Sequence, residues 1–146
     1  MHTHRDPLKV VASLASLVAL LRALASDHVD RAAIGAEWTE RLADGLGRAM
    51  AVRERGLPPS ATVVDVNFAD FMRDEVGTVR RIYERFGLEL TADAEARMRR
   101  YLAANPQERH GRHRYTLAAA GLDPGVERRR HAAYQERFGI PSEPVD

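Results

Sequence analysis

A chain of 146 residues, 45% hydrophobic and 29% charged, is one domain's worth of sequence and long enough to bury a core. Its net charge of +1 supplies no broad field for nucleic acid, and the lack of cysteine excludes disulfides and thiolate metal sites. Every basic residue except Lys9 is arginine, a bias that GC-rich coding also produces, so arginine content alone carries no functional weight.

The first predicted helix opens at Asp6-Pro7, an N-cap followed by proline at the first helical position, and continues through apolar residues at Val10, Leu14, Leu17, Leu21 and Leu24. Lys9, Ser13 and Ser16 form a polar edge at i, i+4, i+7 spacing that runs back toward Arg5. Such an edge suits an anion. A guanidinium offers a planar fork of donors, a hydroxyl adds a neutral one, and the amides at the helix start add the favourable end of its dipole. Basic residues near Met1, the apolar run from Val10 and Ala23-Leu24-Ala25 imitate a secretory signal. The acidic helix start, Arg22 and the polar stripe argue against it, and a cytoplasmic location is expected. The uncharged apolar stretch is too short to span a bilayer.

Ser26-Asp27 breaks the chain. Ile34, Trp38, Leu42, Leu46 and Met50 then predict an amphipathic helix to about Arg55, stopped by Gly56-Leu57-Pro58-Pro59. The β-branched run from Ala61 to Asn67 predicts a strand. Asp74-Glu75 opens a helix with an inward face of Val76, Val79, Ile82, Tyr83 and Phe86, and Thr91 caps the next, with Met98, Tyr101 and Leu102 inward. Asp123-Pro124 repeats the Asp-Pro start, and a last helix runs to Phe138 before Gly139. Residues 1–139 read as one body and 140–146 as a Pro-containing tail.

Three stretches together carry a resemblance. Arg5-Asp6-Pro7 with Ser13 eight positions after the arginine resembles the 3′-phosphate-binding segment of the sulfotransferases that use 3′-phosphoadenosine 5′-phosphosulfate (PAPS). Val66-Asn67-Phe68-Ala69-Asp70, followed by Arg80-Arg81-Ile82-Tyr83-Glu84-Arg85-Phe86-Gly87-Leu88, is similar to that family's strand, Tyr-Glu-Asp turn and following helix. Phe68 stands here at the Tyr position and Ala69 at the Glu position. Glu108-Arg109-His110-Gly111-Arg112-His113-Arg114-Tyr115, with Gly121-Leu122-Asp123 after it, looks like the late basic segment of the bacterial branch.

The resemblance implies that Arg5 and Ser13 hold a 3′-phosphate, that Phe68 stacks on adenine without the hydroxyl of a tyrosine, and that Arg109 and Gly111 close a loop over the same phosphate. It implies PAPS or adenosine 3′,5′-bisphosphate as the nucleotide and a hydroxyl or amine as acceptor. No metal is expected, because neither His2 with His4 nor His110 with His113 has carboxylate or thiolate partners at ligand spacing. The implied fold is mostly α with one or two parallel strands, part of a three-layer, P-loop-like α/β fold without its amino-terminal phosphosulfate loop. Ahead of Arg5 there is neither a Gly-rich loop with its lysine nor a base placed to reach an acceptor. The sequence therefore reads as the carboxyl-terminal half of a sulfotransferase, truncated and inactive alone, and no catalytic residue is assigned.

Charge-assisted bonds from Arg5, Ser13 and Arg109 contribute roughly 1.5–3 kcal/mol each. Association costs about 4–15 kcal/mol, so nucleotide binding by this half is expected to be millimolar or undetectable. Two other readings stay open: a partner that completes a separate amino-terminal half, and a helical interaction module whose arginines meet anionic surfaces.

Overall fold

The computed structural model describes residues 1–106 and 115–145. In chain order the elements are β1 (His2–His4), α1 (Pro7–Ala23), α2 (Arg31–Glu54), β2 (Asp65–Asn67), α3 (Phe68–Arg73), α4 (Glu75–Arg85), α5 (Ala92–Ala104) and α6 (Pro124–Phe138), with 3-10 turns at Ser60–Thr62 and Ala118–Ala120. The fold is mostly helical with a two-stranded parallel sheet. Contacts divide it into two compact units. One joins His4–Pro58 to the segment from Tyr115 onward, and the other joins Met1–Thr3 to the segment from Pro59 through α5.

In the first unit, α1 begins where the sequence places it, with the Asp6 side chain accepting from the Leu8 N–H. Its buried stripe, however, is Leu8, Val11, Ala12, Ala15 and Ala19, whereas Leu17, Leu21 and Leu24 are exposed. α1 is apolar on most of its circumference, so periodicity alone does not select the inward face. The small alanines do, because they let Ile34 of α2 and Ala120 pack closely. Leu8, Val11, Ala12 and Leu117 form a contiguous cluster with Trp38, Leu42, Tyr115, Leu122 and Val145 against it. A Cβ on Gly35 would stand 2.0 Å from the Ala120 carbonyl oxygen, so that position in α2 accepts nothing larger than glycine.

Between α2 and α6 lies a buried polar cluster. The Thr39 hydroxyl donates to Glu127, Arg130 Nε is 3.3 Å from the same carboxylate, and His131 Nε2 is 3.8 Å from it. Burial pushes the His131 imidazole below its ordinary pKa, partly opposed by Glu127. At its other end α6 closes on Gly139 in the left-handed conformation, with the Ile140 N–H returning to the Gln135 carbonyl. The segment read as a tail then packs: Ile140 is buried and Val145 touches the Leu8 cluster.

In the second unit, the His2 N–H donates to the Val64 carbonyl at 2.8 Å beside the strand pair. The strand expected over 61–67 is confined to Asp65–Asn67, because Ser60–Thr62 turns, with the Thr62 N–H and hydroxyl both bonded to the Pro59 carbonyl. The short helix α3 was not legible in the sequence. It follows from the Asn67 side chain, which accepts from the Ala69 N–H at 3.0 Å and starts a helix at Phe68. Asp74 and Thr91 cap α4 and α5 as expected. Phe71, Val76, Val79, Met98, Tyr101 and Leu102 line an open apolar groove of this unit, and Tyr101, expected inward, is 67% exposed.

Candidate functional site

Arg5 stands between two buried neighbours. On one side His4, 2% exposed, shares a 2.6 Å hydrogen bond between Nδ1 and the Tyr134 hydroxyl and stacks on Phe138 at 4.1 Å between ring centroids. On the other side Asp6, 1% exposed, caps α1 and accepts twice from Arg128 Nη1, at 2.9 and 2.8 Å. Burying that carboxylate is tolerable only because its oxygens are filled, by Arg128, by the Leu8 N–H and by the Glu143 N–H at 2.7 Å. The backbone that carries Arg5 is thereby fixed at both flanks. Its side chain is half-buried.

The guanidinium meets a carboxylate. Arg5 Nε donates to Glu143 Oε1 and Nη2 to Oε2, both at 2.8 Å, the two-pronged geometry that an arginine also offers to a phosphate. This bonding is the main cause of the raised pKa of Arg5, with burial opposing it and the Tyr115 hydroxyl adding a smaller contribution. Lys9 and Ser13, four residues apart, follow along the stripe of α1 that starts at Asp6, both half-buried. From cap to Ser13 is seven residues, a climb of roughly 10 Å at the helical rise. The amides at the helix start are already engaged, the Leu8 N–H by the Asp6 carboxylate and the Lys9 and Val10 N–H groups by the Asp6 carbonyl. The helix start therefore adds its dipole to this locality and not spare donors.

Of the residues singled out in the sequence, Arg5 and Ser13 belong to the same unit, Arg5 just before the cap of α1 and Ser13 two turns inside that helix. Phe68 lies in the other unit, half-buried as the first residue of α3. Asp70, the acidic residue retained in that segment, is exposed and pairs with Arg73 at 3.0 Å. Arg109 and Gly111 lie outside the described residues. Sequence reasoning missed Arg128 and Glu143. Arg128 sits among three consecutive arginines, and Glu143 sits in a Pro-Ser-Glu-Pro stretch that carries no periodicity. Among the described residues, no helix is long and apolar enough to cross a membrane.

Comparison with solved structures gives two mycobacterial relatives. Sulfotransferase STF9 from Mycobacterium avium superposes with a TM-score of 0.82 at 32% identity, over 96% of this chain and 36% of that one. Sulfotransferase STF1 from Mycobacterium tuberculosis H37Rv superposes with a TM-score of 0.64 at 29% identity, over 89% of this chain and 32% of that one. The chain thus spans about a third of the length of these relatives. A search among curated proteins returns no match. The profile of the Sulfotransferase family matches residues 1–93, and the chain belongs to that family.

Proposed function

We propose that this chain supplies the 3′-phosphate-binding part of a PAPS-dependent sulfotransferase, with Arg5 and Ser13 as the phosphate ligands. The observation that carries the reading is the placement of Arg5: its backbone is fixed at His4 and Asp6, and its half-buried guanidinium is held in one orientation by Glu143. The residues present fit the nucleotide's terminal phosphate in kind, since carboxylate and phosphate ask the same planar donor geometry of an arginine. Lys9 adds a second cation on the Ser13 stripe. Phe68 is assigned to the adenine, and Arg109 with Gly111 to the closing loop, on family resemblance.

PAPS brings the transferable sulfuryl group, and the acceptor is a hydroxyl or an amine. The part of this chain is to bind and orient the nucleotide by the end remote from the reacting sulfur. Binding energy gathered there holds the sulfur in register for in-line attack. No residue of this chain is assigned to stabilising the leaving phosphate or to deprotonating the acceptor, and its own binding of the nucleotide is read as weak. A cytoplasmic site of action, where PAPS is the sulfuryl donor, accompanies this reading.

Phosphorus NMR tests it on the chain as it stands. Titrating the protein into adenosine 3′,5′-bisphosphate is expected to shift and broaden the 3′-phosphate resonance more than the 5′-phosphate resonance. A response at millimolar protein that is equal for the two phosphates, or larger at the 5′-phosphate, would refute the assignment.

A further inference from the structure

We propose that Glu143 is the positioning residue for Arg5, gripping the guanidinium by its Nε and Nη2 edge so that the fork is already oriented when the 3′-phosphate arrives. The inference rests on the reading of Arg5 as a phosphate ligand. A carboxylate on a phosphate-binding arginine has two opposite meanings: a competitor that the nucleotide must evict, or a fixed support that stays in place. The structure favours the support, because Glu143 is itself held at several points. Its N–H donates to Asp6 Oδ2 at 2.7 Å, and its carbonyl accepts from Arg128 Nη2 at 3.4 Å. Arg128 and Asp6 are bonded to each other, and Arg128 also reaches the Gln135 side chain at 3.1 Å. On either side of Glu143 the chain is pinned, by buried Ile140 and by Val145 against the Leu8 cluster.

Evicting the carboxylate would require a rotation away from two 2.8 Å bonds while its backbone stays clamped. Retaining it removes beforehand the rotamer freedom that a long arginine otherwise loses on binding. An outer partner that fixes a ligand-holding side chain in this way is a recurrent device of binding sites.

The test compares adenosine 3′,5′-bisphosphate with AMP, which lacks the 3′-phosphate, on wild-type, E143A, E143Q and R5A chains by NMR titration. E143A is expected to weaken the bisphosphate roughly tenfold, the low end of what such outer partners contribute, and to leave AMP unchanged. E143Q, which keeps an acceptor oxygen and every main-chain contact, is expected to fall between, and it carries the test by the same readouts should E143A fail to fold. The Arg5 Nε–H resonance is expected to be sharp and protected from exchange in the wild-type chain and to exchange rapidly in E143A. A merely structural role for Glu143 would weaken both nucleotides alike. Bisphosphate affinity that is unchanged, or that rises because a competitor has been removed, overturns the proposal. R5A separates the two claims: if R5A retains full bisphosphate affinity, the phosphate reading fails and Glu143 has nothing to position. If R5A weakens binding and the Glu143 variants do not, only the role of Glu143 fails.

Discussion

The chain contains the same helix start twice, and the two copies have different fates. Asp6-Pro7 and Asp123-Pro124 each place an aspartate at the N-cap and a proline at the first helical position, and each aspartate accepts an N–H of its own first turn. Among the described residues Asp123 does only that, exposed, capping Val126 at 2.7 Å. Asp6 is buried, and besides Leu8 it binds Arg128 and the Glu143 backbone, so that α1, α6 and the final segment meet on one carboxylate. The local motif specifies a helix start in both places. What surrounds it decides whether the carboxylate is a cap alone or also the support beneath Arg5.

Substitution breaks this pairing most visibly at Asp6. D6A strands the Arg128 charge and removes a cap, and is expected to lower unfolding free energy by about 3 kcal/mol, measured by urea denaturation. D123A is expected to lose about 1 kcal/mol, the value of a surface cap. Equal losses would show that the buried network contributes nothing beyond capping. Glycines in α2 supply a parallel contrast of identical residues in unlike surroundings. G35A forces a Cβ onto the Ala120 carbonyl and is expected to destabilise by roughly 2 kcal/mol. G45A, with nothing within 4 Å, is expected to stabilise by roughly 0.5–1 kcal/mol through helix propensity.

The smallest expected effect concerns pH. Burial depresses the pKa of His131 in the folded chain, so the unfolded chain takes up that proton first. Stability is therefore expected to fall as pH drops through the ordinary histidine value of 6.5 toward the lower native value, and H131Q is expected to flatten that part of a thermal-midpoint profile. A wild-type profile without that acid-side slope would contradict the assignment.

Helix positions were legible because their ends carry chemistry: Asp6, Asp74, Thr91 and Asp123 all cap as their sequence context predicts. Helix faces were less so. An apolar run such as α1 offers two candidate stripes, and the buried one was chosen by alanines that match Ile34 and Ala120. The short helix at Phe68 escaped because an asparagine cap at the end of a β-branched run reads as a turn. Of the candidate site, Arg5 and Ser13 enter through a spacing that resembles the family's segment, and their role is the one proposed above. Arg128 and Glu143 were invisible, because their partners lie 122 and 138 residues away in sequence and no local pattern marks such a pair.

One comparison of affinities tests most directly whether Arg5 holds the 3′-phosphate. Adenosine 3′,5′-bisphosphate and AMP are titrated against the wild-type and R5A chains. The expected result is millimolar binding of the bisphosphate by the wild-type chain, roughly tenfold or more tighter than AMP as one charge-assisted contact implies, with the difference erased in R5A. Equal affinity for the two nucleotides in the wild-type chain, or a preference that survives R5A, would contradict it.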